Sequence, residues 1–267
     1  MLWQIGLFSK TAPIPMGLDY SHSENLHTLA GARSVLAALF QNHKPESLLD
    51  VGCGNGVWMR AALDFGVPEV YGLDGIKIPE DQLHVSAEKI RHQDLTLAWE
   101  LNKRFDVVLC LEVAEHLDAA FAPNLIDCLV KHGSRIYFSA ACPGQSGQHH
   151  VHCQWPAYWQ QLFNSRGFSC LDDARWLVWN DEQIEPWYRQ NMFVAVHDPL
   201  TAGQEPRLPP VIHPAIANLM IQKAGNAEFP LHVKQIENGQ MPYRWYCSLP
   251  FRALYNKVRR RVLKLPR

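Results

Sequence analysis

The feature that most constrains the fold is a short apolar run that ends in three glycines and continues into a helical pattern. It extends from Leu48 to Trp58 and reads LLDVGCGNGVW, with glycines at Gly52, Gly54 and Gly56. Glycine lets the backbone adopt positive φ and approach a ligand closely where a strand turns into a helix. The run therefore predicts a ligand site at the N-terminus of a helix, with Asp50 just before the glycines.

Strand-like and helix-like segments alternate from about residue 47 to residue 198. The candidate strands read SLLDVG, VYGLD, KIRHQ, FDVVLCL, RIYFSA and MFVAVH. Between them, GVWMRAALDFG and APNLIDCLVKHG carry helical apolar spacing, and each ends at a glycine suited to a helix C-cap. Such alternation is typical of α/β proteins, so we predict a Rossmann-like, seven-stranded, mostly parallel sheet with helices on both faces.

Composition limits the class of protein. A chain of 267 residues with 47% hydrophobic residues can bury a full core. Its first residues lack a basic region ahead of an apolar run, and no apolar window is long enough to span a bilayer, so we expect a cytoplasmic protein. Its seven cysteines lack paired zinc spacing and are expected to be reduced thiols, mostly in the core.

The charge is unevenly distributed. The formal net charge is -1, yet residues 252–267 contain seven basic residues and no acidic one. The rest of the chain is therefore mildly acidic, which argues against a general nucleic-acid binder because phosphate contacts need clustered Lys and Arg. The tail has the pattern of a basic amphipathic helix, which could contact a membrane surface or RNA, or could pack on its own domain.

The order of the motifs resembles that of the class I S-adenosylmethionine-dependent methyltransferases. The pattern D-x-G-x-G-x-G departs from the dinucleotide fingerprint, which expects a glycine where Val57 stands. The resemblance implies that Asp74 holds the ribose hydroxyls of S-adenosyl-L-methionine and that Asp94 faces its adenine amino group. Helix capping is the alternative for each aspartate. The implied cofactor-binding residues are Asp50, Gly52, Cys53, Gly54, Gly56, Asp74, Gly75, Asp94, Leu95, Leu111 and Glu112.

The segment EVAEHL follows the fourth candidate strand. If it is helical, Glu112, Glu115 and His116 lie at i, i+3 and i+4 and share one face. The pattern E-x-x-E-H followed by a later histidine resembles that of metal-assisted O-methyltransferases, including small-RNA 2′-hydroxyl methyltransferases and, for E-x-x-E-H itself, ubiquinone-pathway enzymes. The resemblance implies a Mg²⁺ or Mn²⁺ ion held by Glu112, Glu115, His116 and His150, with Glu115, His116 and His150 as catalytic residues.

The later histidine comes from the stretch GQSGQHHVHCQW. Its HVHCQW part resembles an H-V-N-x-Q-W segment of the same enzymes, which points to His150 as the inward residue. In an extended chain, alternation would place His150 and His152 on one side and His149 on the other. Three alternatives stay open: a metal-free general base at His116 or His150, a polar surface loop, and structural zinc bound through Cys142, His149, His152 and Cys153.

These interpretations divide the chain into four regions. We predict an N-terminal helical lid over residues 1–46, a methyltransferase domain over 47–198, a proline-rich arm over 199–251 and the basic tail over 252–267. In the domain, EPWYRQNMFVAV leads into the last strand and, by the resemblance, places Trp187, Tyr188, Arg189 and Asn191 near the substrate mouth.

The predicted reaction is methyl transfer to an oxygen of a sugar, glycan or small metabolite. The alternatives are an RNA 2′-hydroxyl acceptor and a non-catalytic scaffold docked through the tail. The sequence does not indicate an oligomeric state.

Overall fold

Seven strands form one sheet in the computed structural model, which describes residues 27–42 and 44–223. The strand order is β3-β2-β1-β4-β5-β7-β6. Among these strands β7 runs antiparallel to its two neighbours, and the others are mutually parallel. The predicted seven-stranded, mostly parallel α/β sheet is confirmed. Its strands are β1 (Ser47–Val51), β2 (Glu69–Asp74), β3 (Ile90–His92), β4 (Val107–Leu111), β5 (Arg135–Ser139), β6 (Phe168–Leu171) and β7 (Phe193–His197).

Helices cover both faces of the sheet. They are α1 (Leu29–Phe40), α2 (Val57–Phe65), α3 (Ala122–His132), α4 (Pro156–Asn164), α5 (Asp173–Val178) and α6 (Pro186–Asn191). Residues 214–223 form a further helix, which is not one of these covering helices. Adjacent strand residues such as Leu48 and Leu49 belong to opposite apolar layers. Side chains of α3 and α4 fill one layer, and those of α1, α2, α5 and α6 fill the other. Burial on both faces explains why the strands read as continuous apolar runs rather than as alternating ones.

The strand order of the sheet indicates where a ligand would bind. Strand order reverses between β1 and β4, because the chain proceeds from β1 outward to β3 and then crosses back. In open α/β sheets ligands bind at this reversal, beyond the carboxyl ends of the strands. The glycine turn after β1 and the acidic segment after β4 therefore meet at the same edge.

Two local predictions differ from the structure. The strand β6 has only four residues, FSCL, too few for a periodic pattern, and was missing from the candidate strands. Gly66 adopts φ 95° and caps α2 as predicted, whereas Gly133 is extended and does not cap α3 in that way. Gly133 is small for another reason, because a Cβ there would meet Cγ2 of Val108 at 2.6 Å.

The helix α1 belongs to a covering layer. Val35, Leu36 and Phe40 are buried in the same apolar layer as α2. The N-terminal end of α1 is tied to α6, since the backbone N–H of Thr28 donates to Oε1 of Glu185 at 2.6 Å. Residues 1–26 of the predicted lid lie outside the described residues, and the lid stays a prediction.

The proline-rich segment after β7 packs on the domain in its first part. Leu208 is buried in the core, and its backbone N–H donates to Oε1 of Gln160 at 2.8 Å. Glu205 accepts hydrogen bonds from Gln160 and Asn164. Residues 224–251 of the arm and the tail at 252–267 lie outside the described residues.

The chain separates into two compact units, Met1–Ile216 and Ala217–Arg267. The four-region division drawn from the sequence stays a prediction. Within the described residues, no helix combines the length and the hydropathy needed to span a membrane.

Candidate functional site

The glycine-rich turn between β1 and α2 is held in place by β2. The backbone N–H groups of Gly52 and Cys53 both donate to the carbonyl of Leu73, at 2.7 and 3.1 Å. The backbone N–H of Gly54 donates to Oδ2 of Asp74 at 2.7 Å. Gly52 has φ 78°, and a Cβ at this position would overlap the side chain of Val113. Both the backbone conformation and the space therefore require glycine here.

A cleft that is partly open to solvent lies beside this turn. Five of its lining residues were not among the predicted cofactor-binding residues: His27, Asn55, Val57, Trp58 and Tyr188. Nδ1 of His27 and the hydroxyl of Tyr188 lie 2.7 Å apart, and the rings of Trp58 and Tyr188 meet edge to face. The cleft is also lined by six predicted residues: Asp50, Gly52, Cys53, Gly54, Leu111 and Glu112.

Asp50 is a buried acid at the floor of this cleft. Its side-chain Oδ2 has no hydrogen-bond partner within the described part of the chain. Burial, followed by repulsion from Asp74, raises the pKa of Asp50 to about 8. The carboxyl group therefore stays protonated at neutral pH in the ligand-free protein. A cation in the cleft would favour its ionised form and lower that pKa.

The other predicted cofactor residues do not line the cleft. Asp74 is buried at the end of β2, and its Oδ1 accepts from the backbone N–H of Ile76 at 2.7 Å. Gly56 is the N-cap of α2 and Gly75 follows Asp74 on the surface. Leu95 is buried in the apolar core. Gly56 therefore lies at the end of the glycine-rich turn, and the other three lie at or just after the carboxyl ends of β2 and β3.

Asp94 makes a local turn. Its Oδ1 accepts from the backbone N–H of Thr96 at 2.9 Å and from the Thr96 hydroxyl at 2.6 Å. This geometry is an Asx turn, and because no helix follows Asp94 among the described residues, the capping alternative is not what the structure shows. Its predicted role toward adenine stays a prediction.

The acidic segment after β4 is not the α-helix predicted from its spacing. Ala114–His116 forms a single 3-10 turn, and Glu112 lies outside it with φ 55°. A positive φ is unfavourable for a residue with a Cβ and is kept where other contacts determine the conformation. Here the backbone N–H of Glu112 donates to the Ser139 carbonyl at 3.0 Å. The helix prediction is wrong because these long-range contacts override the local helical pattern.

Two amides bind the carboxylate of Glu112. Nε2 of Gln145 donates to Oε2 at 2.9 Å, and Nδ2 of Asn191 lies 3.0 Å from Oε1 and 3.3 Å from Oε2. Burial raises the pKa of Glu112 although these hydrogen bonds lower it. The carboxylate therefore has a fixed orientation at the border of the cleft.

Glu115 is fully buried beside Glu112. Its backbone carbonyl accepts from the N–H groups of Val151 and His152, at 2.9 and 3.0 Å. Neither carboxyl oxygen makes a hydrogen bond of ordinary geometry with any described residue. Burial and repulsion from Glu112 raise the pKa of Glu115 well above its usual range. A buried carboxyl group in this state needs either a proton or a cation.

Two histidines approach Glu115. Nδ1 of His150 lies 3.1 Å from the Gln145 carbonyl, and Nδ1 of His116 lies 3.4 Å from the His149 carbonyl. Because a carbonyl only accepts, each Nδ1 carries the proton and the basic lone pair is on Nε2. Burial, followed by repulsion from His150, lowers the pKa of His116 to about 4, so its imidazole is neutral at pH 7.

Glu115, His116 and His150 can together hold a metal ion. One ligand atom from each lies within 4.8 Å of the others. Glu112, the fourth predicted ligand, is not a member of this three-residue group, which we call the acid–imidazole group. The sequence therefore identified its three members, and the structure brings them together.

The other histidines of the loop point elsewhere. His149 is exposed and has φ 48°, while His152 is buried against the rings of Tyr158 and Trp159 at 5.2 Å. The alternation that placed His150 and His152 on one side is wrong, because the loop turns at His149 and is not extended. In the described residues, no metal-binding group contains the four side chains considered for structural zinc.

The cysteines of the described residues are free thiols, as predicted. Five of them, Cys53, Cys110, Cys128, Cys142 and Cys170, are buried, and Cys153 is partly buried.

Sequence comparison finds relatives for part of the chain. Ubiquinone biosynthesis O-methyltransferase of Stutzerimonas stutzeri (strain A1501) is 34% identical over 102 residues, and that of Azotobacter vinelandii is 34% identical over 110 residues. Each alignment covers 35% of this chain. The chain spans 44% of the length of these curated relatives.

Comparison with solved structures finds methyltransferases at low sequence identity. The sugar N-methyltransferase KedS8 from Streptoalloteichus sp ATCC 53650 has a TM-score of 0.49 and 16% identity, over 74% of this chain and 100% of KedS8. The plantazolicin methyltransferase BpumL, solved with a desmethylPZN analog and SAH, has a TM-score of 0.46 and 15% identity, over 66% of this chain and 87% of BpumL.

A family model covers a longer stretch than the pairwise relatives. The model describes a methyltransferase domain and matches residues 23–179, which include the glycine turn, the segment after β4 and the loop with His150. Because this match covers more than half of the 267 residues, the chain belongs to the methyltransferase-domain family.

Proposed function

We propose that the protein transfers the methyl group of S-adenosylmethionine to a hydroxyl oxygen. The observation that carries this proposal is the position of the acid–imidazole group. Glu112 lines the cleft, and its charge raises the pKa of Glu115, so the two carboxyl groups are neighbours. Donor cleft and acid–imidazole group are thus adjacent, as in-line transfer requires.

The donor side of the site fits a cationic ligand. S-adenosylmethionine carries a sulfonium that makes its methyl group electrophilic, together with an ammonium group. Asp50 supplies a buried carboxyl group in the cleft, and the glycine turn allows close backbone approach. Ionised Asp50 would attract the bound cation strongly because the cleft floor is shielded from water.

The acceptor side fits proton removal from a hydroxyl group. An alcohol is a weak nucleophile at neutral pH, so its transfer reaction benefits from a nearby base. His116 is neutral and has its basic lone pair on Nε2, and His150 has the same tautomer. Either imidazole can therefore accept the proton of a hydroxyl group placed between the cleft and the acid–imidazole group.

The same residues also fit a divalent ion. The test is the carboxyl group of Glu115, which is buried, makes no hydrogen bond of ordinary geometry with a described residue and lies beside the imidazoles of His116 and His150. An ion held by Glu115, His116 and His150 would lower the pKa of a bound hydroxyl group. Two nitrogen ligands and one oxygen ligand favour Mn²⁺ over Mg²⁺. We propose the ion-assisted form, and the metal-free form makes the opposite prediction for a chelator.

We propose a sugar, a glycan or a small metabolite as the acceptor. The O-methyltransferase name of the sequence relatives supports an oxygen acceptor. Outside the tail the chain is mildly acidic, which disfavours a long polyanion. An RNA acceptor would depend on the basic tail, and its binding would then fall steeply with salt.

The test offers purified protein and methyl-labelled S-adenosylmethionine to a cell extract separated into glycan, RNA, protein and small-metabolite fractions. Label in the glycan or metabolite fraction supports the proposed acceptor. A chelator should abolish this labelling, and added Mn²⁺ should restore it better than Mg²⁺. Labelling that resists the chelator would favour the metal-free form, in which the imidazoles act as bases. Absence of label despite donor binding would favour the non-catalytic scaffold.

A further inference from the structure

A chain of amides, two of them buried, connects the proline-rich segment to Glu112. The amides belong to Gln145, Gln190 and Asn191, which we call the amide cluster. Gln145 follows β5, whereas Gln190 and Asn191 end α6. Gln190 is 1% exposed and Asn191 is 2% exposed. Amides buried this deeply are costly unless their donors and acceptors are paired, so the pattern of pairing is informative.

Gln190 is the link between the segment and the cluster. Its Oε1 accepts from the backbone N–H of His213 at 2.8 Å. Its Nε2 lies 3.0 Å from Oδ1 of Asn191, 3.1 Å from Sγ of Cys142 and 3.4 Å from Oε1 of Gln145. One side chain therefore contacts the segment after β7, the residue that ends α6 and the loop after β5.

The position of His213 is fixed independently of Gln190. Its imidazole Nε2 lies 3.0 Å from the Trp179 carbonyl, and its Nδ1 accepts from the backbone N–H of Ala215 at 3.1 Å. His213 is 6% exposed, and its ring is 4.5 Å from that of Trp179. These contacts of the His213 ring therefore fix the position of the His213 backbone N–H, which donates to Gln190.

Gln145 joins the two halves of the proposed site. Its side-chain Nε2 donates to Glu112 at the cleft, and its backbone carbonyl accepts from His150 in the acid–imidazole group. Its Oε1 accepts from Nδ2 of Asn191 at 2.9 Å. A shift of Gln145 would therefore move the Glu112 carboxylate and the His150 imidazole together.

We propose that Gln190 is a positioning residue for methyl transfer: through Gln145 and Asn191 it sets the relative position of Glu112 and His150. The inference rests on the proposed function, because it concerns the same reaction. Gln190 lies outside the motifs of the glycine turn and of the E-x-x-E-H segment. Its role is to keep the donor cleft and the acceptor side aligned.

The expected kinetic effect follows from this role. Gln190 does not line the cleft, so the KM for S-adenosylmethionine should change little when Gln190 is replaced. Misalignment of reacting groups lowers the rate at saturation, so kcat should fall. Loss of hydrogen bonds of ordinary strength corresponds to a fall of roughly tenfold.

The test compares Gln190→Met, Gln190→Glu and Glu205→Ala with the wild-type full chain. Gln190→Met removes all polar contacts of the amide. Gln190→Glu keeps the oxygen that binds the His213 N–H but loses the Nε2 donors. Glu205→Ala is the control: it removes another contact of the same proline-rich segment, and that contact does not involve the amide cluster.

Initial rates are measured with labelled S-adenosylmethionine and the extract fraction that the wild type labels. The inference predicts a kcat about tenfold lower for both Gln190 variants, with the KM for the donor within roughly threefold of wild type and normal kinetics for Glu205→Ala.

A kcat of Gln190→Met equal to that of the wild type would overturn the inference. So would a fall in kcat of Glu205→Ala as large as that of the Gln190 variants. Wild-type kcat in Gln190→Glu would also overturn it, because the segment contact alone would then suffice. A wild type that labels no fraction is a different result, which contradicts the proposed function itself.

Discussion

Nδ2 of Asn191 lies 3.0 Å from Oε1 of Glu112, although 79 residues separate the two in the chain. The contact joins the end of α6 to the segment after β4 at the border of the cleft. It helps to hold Glu112 in its unfavourable positive-φ conformation. The orientation of Glu112 thus depends on Asn191, which belongs neither to the glycine-turn motif nor to the E-x-x-E-H motif.

Replacing Asn191 by Asp should therefore impair methyl transfer severely. The change places a second carboxyl group beside Glu112, and two buried carboxylates at this distance cannot both ionise. We expect a fall in the labelling rate of roughly 10- to 100-fold, measured with labelled donor at saturation. Asn102→Asp, an exposed change of the same chemistry, is the control and should leave the rate unchanged. A normal rate in Asn191→Asp would show that the contact is dispensable.

Donor binding should become tighter as the pH rises from about 6.5 to 8.5. The raised pKa of Asp50, about 8, means that the group must release a proton to face a cation. Calorimetry in buffers of different ionisation enthalpy measures both the affinity and the proton released. Asp50→Asn should bind the donor roughly 10- to 100-fold more weakly and should lose this part of the pH dependence.

The same substitution should stabilise the ligand-free protein at high pH. In the folded protein Asp50 keeps its proton up to about pH 8, whereas an unfolded aspartate loses it near pH 4. The folded state therefore loses stability through this group as the pH rises between those values. The gain in the unfolding midpoint of Asp50→Asn should be larger at pH 8.5 than at pH 5. An equal gain at both pH values would contradict the assigned pKa.

Gly147→Ala should displace His150. A Cβ at Gly147 would overlap the imidazole ring, so the ring must leave its place near Glu115 and His116. We expect binding of Mn²⁺ alone, followed by electron paramagnetic resonance, to weaken about tenfold or more, because one of three ligands is misplaced. Ser146→Ala, an exposed neighbour on the same loop, should bind Mn²⁺ like the wild type. Unchanged binding in Gly147→Ala would exclude His150 as a ligand.

Glu205 should stabilise the fold in a pH-dependent manner. Burial alone raises the pKa of Glu205, but hydrogen bonds from Gln160, Asn164 and the Cys170 N–H outweigh it and lower the pKa to about 2. This stabilisation is complete above pH 4.5 and is lost as the pH falls toward 2. Glu205→Ala should lower the free energy of unfolding by about 1–3 kcal/mol at pH 7 and by less at pH 3. Urea unfolding at the two pH values measures the difference, and an equal loss at both would be inconsistent with this carboxylate contact.

The position of the cleft beside the glycine-rich turn was predictable from sequence because its information is local. A strand, a glycine turn and a helix follow one another at Leu48 to Trp58, and their geometry is set by backbone rules. Asp50, Gly52 and Gly54 accordingly line the cleft as the spacing indicated. The acid–imidazole group was also identified, although its two parts are separated by the whole of α3 and β5.

The remaining parts could not be read from the sequence because long-range contacts decide them. The spacing of Glu112 and Glu115 fits a helix, yet the contact with Asn191 and the backbone hydrogen bonds to Ser139 favour a turn. Gln145 and Gln190 carry no sequence signal, since an amide buried in a site looks like any surface amide until the fold is known. Tyr188 lines the cleft, and no local pattern but only the resemblance had placed it near the substrate mouth.

The most direct test of the central claim identifies the atom that receives the methyl group. Wild type and Glu115→Gln are incubated with S-adenosylmethionine carrying a ¹³C-methyl group and the labelled acceptor fraction, and the product is analysed by carbon NMR. The proposed function predicts a methoxy carbon signal from the wild type and a loss of about tenfold or more of that signal in Glu115→Gln. An N-methyl or S-methyl signal from the wild type, or an undiminished methoxy signal from Glu115→Gln, would contradict oxygen methylation at the acid–imidazole group.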